Sequence, residues 1–364
     1  MKRNLFLFIF LFSLNSFSQE ILLNSDNFED VPHATFLRGC CGFGYNLGLT
    51  YIPMASWYNI IDFDQLAEEH EYGGSFSEEN GQIYTCKAGF IDSAHVREVG
   101  DWTSYLAHKI YYALKQGGKT RIALRPEGTK ETYLFLRPFK GTVTKELAIA
   151  LAQRISFELS LWHEISSWYG YTSVPIYSQR HSAFSPEDLY SNMLGTFVAK
   201  EVLMKSGDYN ETFNQVLREK IKALGPLSRK GTETAFDMVE GKNKWWDKNH
   251  VVTPDFFLVR KRNLDYFEES LRPWKVPRRV KGCKKNSYSL STLQLPNKVN
   301  NINLKERYVL VFDIDRDDIP IPMPVGREDQ STINSFYFPR LLEHLRGLVK
   351  EELGQDALSP FYMD

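Results

Sequence analysis

Charge of one sign is missing from this chain: 44 Lys and Arg offset 45 Asp and Glu, a formal net charge of -1. A protein that grips nucleic acid by its phosphates carries a basic surplus, so a generic nucleic-acid binder is excluded. Cysteine is sparse, with four residues in 364, a thin disulfide framework at most. No phosphate-cradling Gly loop and no dinucleotide fingerprint occur, and Gly42-Phe43-Gly44 is too short and leads into no helix. Beyond residue 14 no apolar run approaches the roughly 20 residues of a bilayer span, so no transmembrane segment is expected in the mature chain. What is plentiful is core material: 43% of residues are hydrophobic and 14% aromatic, which excludes a disordered chain.

The amino terminus explains where such a chain goes. Lys2 and Arg3 precede an apolar stretch from Leu5 to Leu14, and small residues follow at Ser16 and Ser18. This is the pattern of a secretory signal peptide over residues 1–18, with cleavage before Gln19, so the protein is expected to be exported to the periplasm or the medium. Export permits disulfides among Cys40, Cys41, Cys86 and Cys283. A bridge between the adjacent Cys40 and Cys41 would close a strained ring, so the pair is expected to join Cys86 and Cys283, in either order.

Periodicity then predicts the elements. Residues 19–90 read as loops and short strands ending near Cys86. Val96, Val99, Trp102, Leu106, Ile110 and Leu114 recur at helical spacing up to Gly117-Gly118, predicting a helix over 93–116. Thr120 to Leu124 and Glu131 to Leu136 flank a Pro126-Glu127-Gly128 turn and read as a hairpin. A helix over 144–169 is apolar on more than one face and is expected to be buried. Ser185 as cap, Pro186 at the first helical position and two acids in the first turn predict a third helix to Met204. A fourth runs from Asn210 to Leu224, and the carboxy-terminal segment is mixed, with a strand over 306–315 and an amphipathic helix over 340–353. Residues 272–285 hold seven basic residues and no acid, and read as an exposed arm or linker. The fold class is α+β: a core of four to five helices with short strands and hairpins, in a single domain over 19–364.

Three polar clusters carry the candidate chemistry. In the first, Asp92, His95 and Glu98 lie three apart at a strand-to-helix transition and share a face; either they form a site, or Asp92 caps the helix and His95 bonds to backbone. The second, His163-Glu164, interrupts the apolar helix next to Trp162. Position 167 is Ser, so the two-histidine zinc-protease pattern is broken and any metal ligands must converge from several helices. The third runs from Arg180 to Asn192; dipole complementation accounts for Glu187 and Asp188, but Asn192, one turn on, has no such reason to be there. Asp313 to Asp318 lacks the glycine and distal Glu of a calcium loop and reads as a solvated turn.

These words occur together and in order: Cys40-Cys41-Gly42-Phe43-Gly44, Gly89-Phe90-Ile91-Asp92-Ser93-Ala94-His95-Val96-Arg97, Asp101-Trp102-Thr103, Leu161-Trp162-His163-Glu164, and Ser182 to Asn192. As a set they resemble a bacterial exported family catalogued as domain of unknown function 4056, over most of the mature chain. That resemblance brings no established reaction, but it implies that the three clusters belong to one arrangement.

Three readings follow. In the first, the chain is a metal-assisted hydrolase: His95 and His163 bind zinc with Glu187 or Asp188, and Glu164 is the general base. Trp102, Trp162, Trp168 and Tyr190 wall a cleft for a small-molecule, lipid or glycan substrate. In the second, the same groups form a buried polar network in a non-catalytic envelope or binding protein. In the third, Cys86 is the nucleophile of a thiol hydrolase with His95 as base.

Overall fold

The computed structural model describes residues 22–23, 38, 42–45 and 59–361, apart from 68–69, 76–77, 118–119, 125–127, 139, 173–178, 254–255, 267–269, 285–289, 325 and 327–329. The expected signal peptide, Cys40 and Cys41 lie outside the described residues.

Local chemistry starts and stops most helices where the pattern predicts. After the antiparallel strands β1 (Gly81–Thr85) and β2 (Gly89–Asp92), Asp92 stays extended and its carboxylate accepts the Ala94 N–H, which opens α1 (Ser93–Lys115). Gly117, at φ 73°, turns the chain away from it. The hairpin β3 (Thr120–Leu124) and β4 (Thr129–Leu136) follows, and then α2 (Lys145–Trp168), opened by Thr144 accepting the Leu147 N–H. As its apolar perimeter requires, α2 is buried over almost its whole length.

The third helix departs from its expected start. It is α3 (Asp188–Leu203), two residues later than a Ser185 cap would place it, and Glu187 at the cap position makes no capping bond. The Ser185 hydroxyl instead donates to the Ser182 carbonyl. Preceding it, Phe184 is fully buried in the left-handed region at φ 58°, a conformation a bulky residue adopts only when its surroundings enforce it.

Helix α4 (Tyr209–Leu224) is opened by Asp208 and closed by Gly225 at φ 74°. A short helix that periodicity missed, α5 (Arg229–Val239), is opened by Ser228. The carboxy-terminal region adds the hairpin β5 (Trp246–Thr253) and β6 (Phe256–Val259), the strands β7 (Tyr308–Ile314) and β8 (Thr332–Asn334), and α6 (Phe338–Leu353).

Strands β8, β7, β4 and β3 form one antiparallel sheet in that order, with Leu310 opposite Leu134 and Leu134 opposite Ile122. β7 alternates buried and half-buried residues. Against its inner face lies α2, whose Trp162 ring stacks 4.6 Å from Phe312. On its other side α1 packs against both α2 and α3. A Cβ on Gly195 of α3 would stand 2.4 Å from the Val96 carbonyl oxygen of α1, so these helices meet backbone to backbone. Six helices with several small, mostly antiparallel sheets make the described residues α+β, as expected.

A second, aromatic core joins Phe43, Tyr84, Phe90, Phe236, Trp245, Trp246 and Trp274. Here two expectations are corrected. The basic segment 272–285 is not a free arm: its apolar residues Trp274, Val276, Val280 and Cys283 are buried, while Arg272, Arg278, Arg279 and Lys281 face outwards. Cys86 and Cys283 are bonded to each other, not each to one of the CysCys pair, with Cα atoms 5.4 Å apart. The Cys86 carbonyl also accepts from the Lys275 ammonium, which draws the basic segment onto the end of β1.

Candidate metal centre

His95, Glu164 and Asp188 each offer a ligand atom to one point, and those atoms lie within 4.8 Å of one another. They come from the first turn of α1, the last turn of α2 and the start of α3, and all three residues are buried.

Each side chain is aimed by its neighbours. Asp92 accepts the Ala94 N–H on one oxygen at 2.8 Å and meets His95 Nδ1 with the other at 3.1 Å. A carboxylate on Nδ1 sets that nitrogen as the protonated one and leaves Nε2 with a lone pair. Glu164 Oε2 accepts the Phe184 N–H at 2.7 Å, and Asp188 Oδ2 accepts the Ser185 N–H at 2.6 Å. The strained turn at Phe184 therefore has a purpose: it points two backbone N–H groups at two carboxylates of the site. Ser191, one turn into α3, accepts the Asp92 N–H at 3.0 Å and so ties α3 to the start of α1.

Around this group acids outnumber cations. Glu187 is fully buried and takes a hydrogen bond from Gln82 at 2.8 Å. Burial first, and then the Asp92 carboxylate, push its pKa well above the ordinary range. Arg262 is the nearby cation. Its guanidinium donates to the carbonyls of Ala183 and His181, both at 2.9 Å, which clamps the turn from behind. Burial lowers its pKa to about 10 against the opposing pull of Asp188, Glu164 and Glu187.

Several buried atoms here find no hydrogen-bond partner among the described residues: Glu164 Oε1, Glu187 Oε2, Gln82 Oε1, and both the Oδ1 and Nδ2 of Asn192. An unsatisfied buried polar group costs about 1–3 kcal/mol, so such a concentration in one place calls for something to bind. Asn192, which capping could not explain, is buried one helical turn after Asp188.

Other expected site residues fall elsewhere. His163 does not join the group: it is half-buried, with its carbonyl accepting from the Ser166 hydroxyl. Successive helix residues point about 100° apart, so the rotation that aims Glu164 at His95 and Asp188 aims His163 in another direction. Glu98 is likewise half-buried and outside the group. The expected aromatic walls belong to the core: Trp162 stacks on Phe312, Trp102 packs edge-on to Tyr105, and the Tyr190 hydroxyl donates to the Ser291 carbonyl. Trp168 alone of these reaches towards the site, with the Arg262 guanidinium 5.8 Å from its ring. Cys86 carries no thiol, so the thiol-hydrolase reading falls.

Gln82 and Arg262 escaped the sequence reading, and Ser191 entered it only as a member of the third cluster, without a role. A charged run such as Lys261-Arg262-Asn263 looks like solvated surface, yet all three residues are buried. The one local hint was its position directly after the apolar Phe256 to Val259.

A second buried polar group stands apart from this one. Arg38 pairs with Glu78 at 2.5 Å and with Asp101 at 2.8 Å, His70 lies between the same two acids, and the Tyr209 hydroxyl donates to Asp101 at 2.9 Å. Burial works against ionisation here, but Arg38 and His70 outweigh it and hold both carboxyls below their usual range. This network fastens Arg38 to α1 and α4.

The family model described as a protein of unknown function, DUF4056, matches residues 28–277, which include every residue of the candidate centre. No curated protein and no solved structure matches this chain. With a match that covers more than half its length, the chain belongs to the DUF4056 family.

Proposed function

We propose that this protein is a metal-dependent hydrolase whose divalent ion is held by His95, Glu164 and Asp188. The observation that carries this reading is the convergence of three ligand atoms within 4.8 Å, beside carboxylate and amide oxygens with no other partner. Ligands about 2 Å from one ion stand roughly 3–4 Å apart, so small side-chain rotations complete the shell. One imidazole with carboxylates suits zinc, manganese or ferrous iron. The ion would supply Lewis acidity and a water acidified to a pKa of about 7.

In this assignment Glu164 is a ligand, and the base is Glu187, whose Oε2 has no partner among the described residues. Asn192 offers the donor that a developing oxyanion needs. Asp92 positions His95. The His95 and Asp188 side chains keep 7% and 4% exposure while Asp92 keeps 0%, so solvent would have to enter on their side. The Cys86–Cys283 bridge supports placing the protein outside the cytoplasm, in keeping with the leader at residues 1–18.

Burial favours a second reading, in which the same groups form a non-catalytic network holding α1, α2 and α3 in register. Elemental analysis separates the two. The hydrolase reading expects about one divalent ion per chain, lost in His95→Ala and Asp188→Asn, together with hydrolysis of at least one ester, amide or glycan substrate that needs the ion. Metal-free protein whose thermal midpoint does not respond to zinc, manganese or iron leaves only the network.

A further inference from the structure

Beyond α6 the chain does not run off into solvent. Gly354, at φ 102°, breaks the helix, one 3₁₀ turn follows over Gln355–Leu358, and the residues up to Phe361 bond to the segment that follows β6. Lys261 is the anchor. Its side chain is 1% exposed, and its ammonium donates to the Asp356 carbonyl, to Asp356 Oδ2 at 2.7 Å and to the Phe361 carbonyl at 3.0 Å. All three donors of the ammonium are thus spent on residues 354–361. Two more bonds join the same pieces. The Arg262 N–H donates to the Ala357 carbonyl at 2.9 Å, and the Trp245 indole N–H donates to the Pro360 carbonyl at 3.0 Å.

A buried ammonium is costly to desolvate, and packing alone would be served as well by an apolar side chain of similar size. What the charge adds is direction, because three acceptors fix where the backbone at 261–263 can lie. That backbone faces the candidate centre. Arg262 donates to the carbonyls of His181 and Ala183, the Asn263 N–H donates to the Phe184 carbonyl at 2.8 Å, and the Asn263 side-chain amide donates to the Pro186 carbonyl at 3.3 Å. Four carbonyls are gripped from behind, in the turn whose Phe184 and Ser185 N–H groups aim Glu164 and Asp188. The left-handed Phe184 persists only where its surroundings impose it, and these bonds are such an imposition. The residues that anchor Lys261 lie past residue 277, where the family match ends.

We infer that residues 354–361 latch the metal centre, with Lys261 and Asp356 as positioning residues that act through Arg262 and the turn at 181–186. The inference rests on the metal-binding reading above. Neither side chain is among the three that converge on the ion, so their effect on it passes through the backbone N–H groups of Phe184 and Ser185.

Two readouts on the full mature chain test it: calorimetric titration with zinc, manganese and ferrous iron, and amide hydrogen exchange of the metal-free protein. Lys261→Met keeps the bulk of the side chain and removes its charge. It is expected to hold whichever of these ions the native protein takes about tenfold more weakly, as changes outside the ligands themselves do, and to exchange the amides of 182–186 about tenfold faster. Should Lys261→Met fail to fold, Asp356→Asn, at a side chain 28% exposed, is expected to move both readouts the same way, and Asp356→Glu to restore them. Val216→Ala is the control for stability alone, since it opens a cavity in α4, which carries none of the latch bonds. Its urea midpoint is expected to fall while its metal affinity and the 182–186 amides stay as in the native protein. Native affinity and native exchange in folded Lys261→Met or Asp356→Asn overturn the latch and leave the metal centre standing. An equal loss of affinity in Val216→Ala overturns it too, because the effect is then one of general stability. Native protein that takes up none of the three ions sinks the metal reading itself, and the latch with it.

Discussion

Asp92 is the residue on which the candidate centre turns, because it does two jobs with two oxygens. One caps α1 and the other holds His95 Nδ1. Replacing it with Asn keeps the cap, since Asn caps as well as Asp, but removes the charge that fixes the imidazole. Asp92→Asn is therefore expected to weaken metal binding about 10–100-fold, as outer-shell changes do, with little change in stability; calorimetry with zinc and a urea melt of the metal-free protein check the two halves. His163→Ala, by contrast, is expected to leave metal content unchanged, because that side chain does not converge with the other three. Elemental analysis of this variant decides whether the histidine or its neighbour Glu164 belongs to the site.

At the scale of elements, the close crossing of α1 and α3 is what brings His95 within reach of Asp188. Gly195 permits it, and an alanine there would meet a backbone oxygen at 2.4 Å. Alanine gains about 1 kcal/mol in helix propensity over glycine, but overpacking against backbone costs about 1–3 kcal/mol or more, so the steric cost wins. Gly195→Ala should lower stability in a urea melt and should also reduce metal affinity, since the helices must part. The disulfide is a second device at this scale: it joins residues 197 apart, from the end of β1 to the basic segment. Constraining so long a loop in the unfolded chain stabilises by about 2–5 kcal/mol. Cys283→Ser is expected to lose about that much in chemical denaturation, and reduction of the native protein should do the same.

For the molecule as a whole, acid is the revealing stress. Glu78 and Asp101 have carboxyl pKa values held below their ordinary 4.5 and 3.8, with Arg38 and His70 overcoming the burial that opposes ionisation. A depressed folded-state pKa means the unfolded chain binds the proton more tightly. The stabilisation is therefore complete above about pH 4.5 and is lost as pH falls through the folded values. The thermal midpoint should drop steeply below about pH 4.5, and Asp101→Asn should be less stable at neutral pH with a shallower acid slope. A variant as steep as the native protein would place the acid sensitivity elsewhere.

Much of this architecture was legible in the chain because its causes are local. The spacing of Val96 to Leu114, the Thr144 cap, the glycines at 117 and 225 and the hairpin around 128 act within a turn or two, and the elements form where those signals put them. Asp92, His95, Glu164 and Asp188 could be picked out for the same reason: charged groups at helix ends or in apolar helices stand out against their own neighbours. What sequence left open depended on direction across the molecule. The inward turn of Glu164 rather than His163, the delay of α3 past Ser185, the bond between Cys86 and Cys283, and the burial of one side of the basic segment are each decided by a partner far away in sequence. Periodicity records which residues share a face but not which face the rest of the chain covers, and only the packed helices and sheets settle that.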